Sequence, residues 1–283
     1  MSVSRIYRLV KNLYGVLPYR FSRAGRAFPA CHYDFELTLR CNLRCRMCQF
    51  LQVPEPTPAG TVRANELTTQ EWFDIIDGVP RFALITFTGG EPLLRPDFMR
   101  ILKRASACHR THFITNGYLL TLERVEDCLT LAPKRLTGVG LNFIGISIDG
   151  PETIHDTVRG AKGTFDRAIQ AIRLLREGRR LFKKRAPLVH VTSVIQEANL
   201  DHLVEMPKIA KEAGADILNF TLEIRTFTLP GLSTKDPWSY RNNDLVLPRL
   251  EPRRVRQMLS DVRKAAAKAR IQLRLPGMPD DEI

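Results

Sequence analysis

No run of apolar residues in this chain approaches the eighteen or so that a membrane span requires, and the first twenty residues lack the apolar core and small-residue cleavage site of a signal peptide. The expected location is therefore the cytosol. Cysteine is scarce: six in 283 residues, none after Cys128. Three of the six fall within eight residues, which fits a metal site in a reducing compartment and not a secreted disulfide framework. Cys31, Cys108 and Cys128 read as buried or idle thiols. Acidic residues are outnumbered, 30 against 43 basic, giving a formal charge of +13. A positive surface attracts anions without naming one. The densest basic groups, Arg179 to Arg185 and Arg253 to Arg256, read as solvated helix ends and faces. No aromatic-interleaved basic stretch argues for stacking on single-stranded nucleic acid. The composition is otherwise that of a globular protein long enough to bury a sizeable core.

Apolar spacing gives the organisation. Residues 2–17 place Val3, Ile6, Tyr7, Val10, Leu13, Tyr14 and Leu17 at helical intervals, with Arg5, Arg8 and Lys11 on other faces. Docking of this basic amphipathic helix on the main domain is the favoured reading; peripheral membrane or partner contact is the second. From residue 33 strand-like runs alternate with helix-period stretches. The strands expected are 34–39, 83–88, 112–115, 143–148, 188–195 and 216–222, with helices at 69–77, 97–108, 122–131, 165–177 and 200–213. Thr68 or Thr69 suits a helix start, Gly178 and Gly214 suit helix ends, and Asn199 looks like a cap. The expected fold is α/β, a partial (β/α)6 TIM-like barrel of parallel strands with its functional loops at the strands' carboxyl ends. Three parts follow: residues 1–30 as helix and loop, 31–225 as the core, and 226–283 as a loop, helix and short strand that complete or cover the barrel. Pro54, Pro56 and Pro58 make 52–65 a stiff excursion that would cover the site, and 226–248 reads as a lid.

Chemistry concentrates in the run Cys41-Asn42-Leu43-Arg44-Cys45-Arg46-Met47-Cys48. Three thiolates are one ligand short of closing a structural zinc site, whereas a four-iron cluster on three cysteines keeps one iron open. Arg40, Arg44 and Arg46, interleaved with them, would favour deprotonated thiols. A zinc knuckle completed by His32 or Cys31 is the competing reading.

The Cys-x3-Cys-x2-Cys run resembles that of the radical S-adenosylmethionine (radical SAM) superfamily. Three later segments match the same family in order: Thr88-Gly89-Gly90-Glu91-Pro92, Thr115-Asn116-Gly117, and Ser147-Ile148-Asp149-Gly150 followed by His155-Asp156-Thr157-Val158-Arg159-Gly160. The resemblance covers residues 31–225. It implies a [4Fe-4S] cluster on Cys41, Cys45 and Cys48, with S-adenosylmethionine on the open iron. One electron passed into the sulfonium then yields a 5′-deoxyadenosyl radical that abstracts hydrogen from a substrate. It also implies that the backbone at Gly89 and Gly90 meets the cofactor's amino group, with Glu91 as a further acceptor, and that Ser147 and Asp149, two apart, face its ribose or ammonium. Arg159 would pair with its carboxylate or brace the loop; Thr115 and Asn116 would touch it or form a turn; Val194 would meet adenine or be core. His190, Thr192, Asn219, Thr221, Glu223 and Arg225 are substrate candidates or members of a buried electrostatic network.

The pattern is similar to members that modify peptides or build peptide- and nucleotide-derived cofactors, which favours a peptide or small cofactor precursor as substrate and a ferredoxin or flavodoxin as electron donor. Many such members carry a cysteine-rich C-terminal extension; without further cysteines, one cluster is expected here. The alternatives are a non-catalytic cluster-bearing scaffold and a radical enzyme acting on nucleic acid.

Overall fold

A computed structural model describes residues 13–18, 20–21, 27–48, 66–134, 138–222 and 250–275. Seven parallel strands follow one another in chain order across a single sheet: β1 (His32–Glu36), β2 (Leu84–Thr88), β3 (Arg110–Thr115), β4 (Gly140–Ser147), β5 (Leu188–Ile195), β6 (Ile217–Leu222) and β7 (Gln272–Arg274). The six expected strands are all present, and the short segment near 272 is a seventh, hydrogen-bonded beside β6. Between them run α1 (Thr69–Asp77), α2 (Phe98–Cys108), α3 (Leu122–Thr130), α4 (Glu152–Arg159), α5 (Thr164–Leu181), α6 (Met206–Ala213, entered by a 3-10 turn over Leu200–Glu205) and α7 (Pro252–Ala269).

Each strand turns one face to the helices and one to the lumen. Ile85, Phe87, Phe113, Ile144, Ile146, Val189, Val191, Leu218 and Phe220 are fully or almost fully buried against the helical layer. Rings of Phe35, Phe87, Phe98 and Phe113 form a chain of tilted and edge contacts with centroids 5.3–6.1 Å apart. Burying each such ring contributes about 2–3 kcal/mol, so this layer carries the fold. The lumen face is mixed: His32, Asp34 and Glu36 on β1, Thr86 on β2, Arg110 and His112 on β3, and His190 and Thr192 on β5 stand among apolar residues such as Ile114, Phe143 and Val194.

Local signals explain most helix ends. Thr68 forms a capping box with Glu71, and Gly214, at φ 98°, ends α6. Three expectations fail. Gly178 does not end α5, which runs on to Leu181; a β-carbon there would lie 2.7 Å from Leu129 Cδ1, so this glycine serves the packing of α5 on α3. Asn199 makes no cap: its side chain accepts from Gln196 N and donates to the carbonyls of Asp149 and Val194, tying the ends of β4 and β5 together. Residues 152–159, read as motif and loop, form the two-turn α4. Of the N-terminal amphipathic segment, 13–17 is described and helical. Tyr14 stacks on Phe28 and Phe82 and donates to the Pro29 carbonyl, which is docking on the main domain. The proline-rich excursion 52–65, the 226–248 lid, Glu223 and Arg225 lie outside the described residues.

Candidate active site

All four motifs meet at the carboxyl ends of the strands. The chain leaves β1 at Glu36 and runs along the β2 exit: Gly90 N donates to Thr38 O at 2.6 Å and Glu91 N to Arg40 O at 2.8 Å. This approach is why two glycines stand here. At Gly89, with φ 122°, a β-carbon would lie 2.4 Å from Thr38 O; at Gly90 it would lie 2.1 Å from Arg40 O. The first demand on the pair is thus backbone against backbone. Both amides beyond Gly89 are spent on the cysteine loop, which leaves carbonyls, acceptors that suit an ammonium donor.

Glu91 is fully buried beneath that loop. One oxygen accepts from Leu93 N and the Thr115 hydroxyl at 3.1 and 2.7 Å, the other from Asn116 N at 2.8 Å. Its carboxyl braces β2 to β3. Burial pushes its pKa up, and the three donors pull it down. Asn116 reaches back: its Nδ2 donates to Asn42 Oδ1 at 2.9 Å and stands 4.0 Å from Cys41 Sγ. Its Oδ1 accepts from Tyr118 N, so the turn role and the loop contact coexist.

From the other side α4 clamps the cysteines. Arg46 N donates to Val158 O, and Gly160, at φ 73°, brings its Cα so near the loop that a β-carbon would sit 2.6 Å from Arg44 O. Arg159 is buried, with its NH2 2.6 Å from Asp149 Oδ2, an ion contact, and its NH1 3.8 Å from Cys45 Sγ. Asp149 is fully buried and also accepts from Val194 N at 2.9 Å, while its own N–H donates to His155 Nδ1 at 3.0 Å. That bond requires a neutral imidazole, and burial pushes His155 down to about 3. Asp156 takes Gly163 N, the Thr164 hydroxyl and Phe165 N, starting α5. The His155–Gly160 motif is thus largely the machinery that holds the cysteine loop.

Cys45 and Cys48 lie close enough to Cys41 to raise its thiol pKa electrostatically, and Cys48 does the same to Cys45. Burial pushes Cys41 and Cys45 up; the Leu43 N–H opposes it at Cys41 and the Arg159 guanidinium at Cys45. The guanidinium that meets the Cys45 thiol is Arg159 and neither Arg40 nor Arg44. Arg40 is committed to Glu66 through a two-pronged contact at 3.0 and 3.1 Å, and Arg44 to the carbonyls of Cys41 and Leu43. Arg159 arrives from more than a hundred residues away, which no local spacing reveals. Among the described residues no three His, Cys, Asp or Glu side chains converge as a single ion would need. Three thiols on one loop, with N–H donors beside them, are the donor set of a polynuclear cluster that takes one thiolate per iron.

The radical SAM superfamily model matches residues 35–206. The chain belongs to the radical SAM superfamily. Members use a [4Fe-4S] cluster and S-adenosylmethionine. It is 34% identical over 185 residues to the AdoMet-dependent heme synthase of Methanosarcina barkeri, covering 64% of this chain and 47% of that protein. It is 31% identical to the mycofactocin maturase MftC of Mycolicibacterium smegmatis, over 76% of this chain and 48% of the maturase. In fold it is similar to SuiB of Streptococcus suis bound to S-adenosylmethionine: TM-score 0.65, 13% identity, 98% of this chain and 56% of SuiB covered. A second likeness is to anSMEcpe with bound AdoMet, at TM-score 0.60 and 16% identity over 86% of this chain and 63% of that one. The chain spans about half the length of the curated relatives it matches. No helix among the described residues is long and apolar enough to cross a membrane.

Ser147 closes β4, half-buried and paired in register with Thr192, and Val194 lies two residues further along the same face of β5. A hollow of about 530 Å³ lined by Lys103, Ser106, Thr130, Lys134 and Gly140 opens at the opposite, amino end of β4, and none of the motif residues lines it.

Proposed function

We propose that Cys41, Cys45 and Cys48 hold a [4Fe-4S] cluster, and that Gly89, Gly90, Ser147 and Val194 seat S-adenosylmethionine against it, for radical chemistry on a peptide or small cofactor precursor. The cluster and cofactor together supply a 5′-deoxyadenosyl radical, able to take hydrogen from an unactivated carbon. What the chain's own residues contribute is orientation and exclusion of water. The Gly89 and Gly90 carbonyls accept from an ammonium, Ser147 offers a hydroxyl to a ribose, and Val194 gives an apolar wall to an adenine. Glu91, Thr115, Asn116, Asp149 and Arg159 keep these groups in place, with Arg159 donating toward the Cys45 sulfur. Arg159 and Asp149 also stand where a bound carboxylate or ammonium would compete for them.

The observation that carries this reading is the docking of the cysteine loop on the Gly89-Gly90 turn from one side and on α4 from the other. The substrate class is supported by relatives named as heme synthases and as a mycofactocin maturase. A low-potential carrier such as ferredoxin or flavodoxin is the electron donor that such chemistry asks for. The test is anaerobic reconstitution with iron and sulfide, then dithionite, S-adenosylmethionine and mass detection of 5′-deoxyadenosine, beside Cys45→Ala. Product from the intact protein alone is expected; zinc in place of iron, or a loaded, reducible cluster that yields no product, would contradict the reading.

A further inference from the structure

Two residues below Ser147 on the lumen face of β4 stands Gly145, about 6.6 Å deeper in the barrel. No positive φ explains this glycine, since it sits in regular strand with ordinary backbone angles. What explains it is traffic overhead. His112 from β3 and His190 from β5 flank β4 on either side, and their rings meet across it with centroids 5.6 Å apart. A β-carbon at Gly145 would lie 3.2 Å from His112 Nε2 and 3.6 Å from Thr192 Oγ1. Phe143 floors the notch, its ring 4.8 Å from that of His190 and 6.2 Å from that of His112. Arg274 reaches over from β7, three strands away, to place its guanidinium carbon 6.0 Å from the Phe143 centroid.

The notch is unfinished as a hydrogen-bonding system. His112 Nδ1 is tied to Thr86 Oγ1 at 3.2 Å, and that hydroxyl to His32 Nε2 at 2.8 Å. Among the described residues His112 Nε2 and His190 Nε2 are both buried without a partner, and so is Arg110 Nε, two residues below His112. Burial pushes His112 down to about 3 and His190 to about 4, with Arg274 adding to both shifts, so the rings are neutral and each carries one N–H. Burial also lowers the pKa of Arg274. Among the described residues the acids of the lumen face, Asp34 and Glu36, stand on β1 at the far edge of the sheet. Buried polar atoms with no partner carry an uncompensated desolvation cost, and a ligand that satisfied them would recover it.

We infer that the Gly145 notch, walled by His112, His190 and Arg274, anchors a carboxylate of the substrate. Two ring N–H groups and a partly desolvated guanidinium over an aromatic floor are donors for an anion, and the notch lies directly beneath the proposed cofactor seat. The substrate is therefore a small molecule bearing a carboxylate, held by that group while a carbon nearer Ser147 reacts. This rests on the cofactor seat proposed above, but its test does not need turnover.

The chain has six histidines, so ring-nitrogen NMR of cluster-loaded, histidine-labelled protein resolves the pair. The probe is propionate, with propionamide as its uncharged counterpart. Saturable shifts of the His112 and His190 signals with propionate, absent with propionamide and roughly tenfold weaker in affinity in Arg274→Gln, are expected, equivalent to losing one charge-assisted hydrogen bond. Gly145→Ala, which crowds His112 Nε2, also weakens them. No saturable shift, equal shifts with the amide, or an unchanged affinity in Arg274→Gln would overturn the anchor. Cluster content and 5′-deoxyadenosine formation by the intact protein, read separately, show whether the cofactor seat has failed instead.

Discussion

The rim and the lumen of this barrel treat buried polar groups in opposite ways. At the rim, the Glu91 carboxylate holds three donors, Asp149 holds Val194 N and Arg159, and Asn199 spends its amide on the backbone of two strands. Deeper in the barrel, the Nε2 atoms of His112 and His190 and the Nε of Arg110 have no partner among the described residues. The motif residues are mostly turned on one another, building a rigid collar around three thiols, and the groups left over lie where no family motif falls. Matched networks specify one geometry, which a seat for a reactive cofactor demands; unmatched groups carry a standing cost that a ligand removes.

The contrast breaks first at glycines. Gly90→Ala forces a β-carbon to within 2.1 Å of Arg40 O and strains the hydrogen bond from residue 90 to Thr38. A loss of about 2–4 kcal/mol in unfolding free energy, with poor iron retention, is expected from denaturant titration and iron assay. A fully stable, iron-replete variant would mean that the loop does not dock as described.

Lumen histidines give the contrast a pH dependence. In the folded chain the lumen's His112 and His190 sit near 3 and 4, and His155 at the rim sits near 3, against an unfolded value near 6.5. Between those values the unfolded chain binds more protons, so stability falls as pH drops below about 6.5 and continues to fall toward the folded values. At pH 5 each contributes a loss of up to about 2 kcal/mol. Urea midpoints at about pH 7.5 and about pH 5 should diverge strongly for the natural chain and less for a His112→Gln, His190→Gln double variant. Equal divergence in both would place the buried, neutral rings elsewhere.

Smallest is Gly145→Ala, where the neighbour at 3.2 Å is the end of a side chain and not backbone. An unfolding free energy within about 1 kcal/mol of the natural chain is expected from denaturant titration, against the far larger effect at Gly90. A collapse comparable to Gly90→Ala would show the lumen to be as tightly determined as the rim, and the comparison would fail.

Periodicity made the strands and most helices legible, because the outward faces alternate cleanly and Thr68 and Gly214 carry end signals whose mechanism is local. Gly178 and Asn199 misled for one reason: each has a side-chain role set by an element distant in sequence, Leu129 for the glycine and the ends of β4 and β5 for the asparagine. The site divides in the same way. Cys41, Cys45, Cys48, Gly89 and Gly90 stand out by spacing. Arg159 against Cys45, and His112 over Gly145 beside Arg274, arise only when β3, β4, β5 and β7 are laid side by side. A polar residue flanked by apolar ones, as in Arg110–Thr115 or Leu188–Ile195, was the available trace of the lumen face; a glycine in mid-strand was the trace of something crossing it.

The central claim is that the collar around Cys41, Cys45 and Cys48 holds a cluster with one iron open to S-adenosylmethionine. Electron paramagnetic resonance of the reconstituted, dithionite-reduced protein tests it most directly, recorded with and without S-adenosylmethionine. The account predicts a reduced [4Fe-4S] signal that changes when the cofactor is added and is missing from Cys45→Ala. A signal indifferent to the cofactor, or a protein that takes up zinc and shows none, would contradict it.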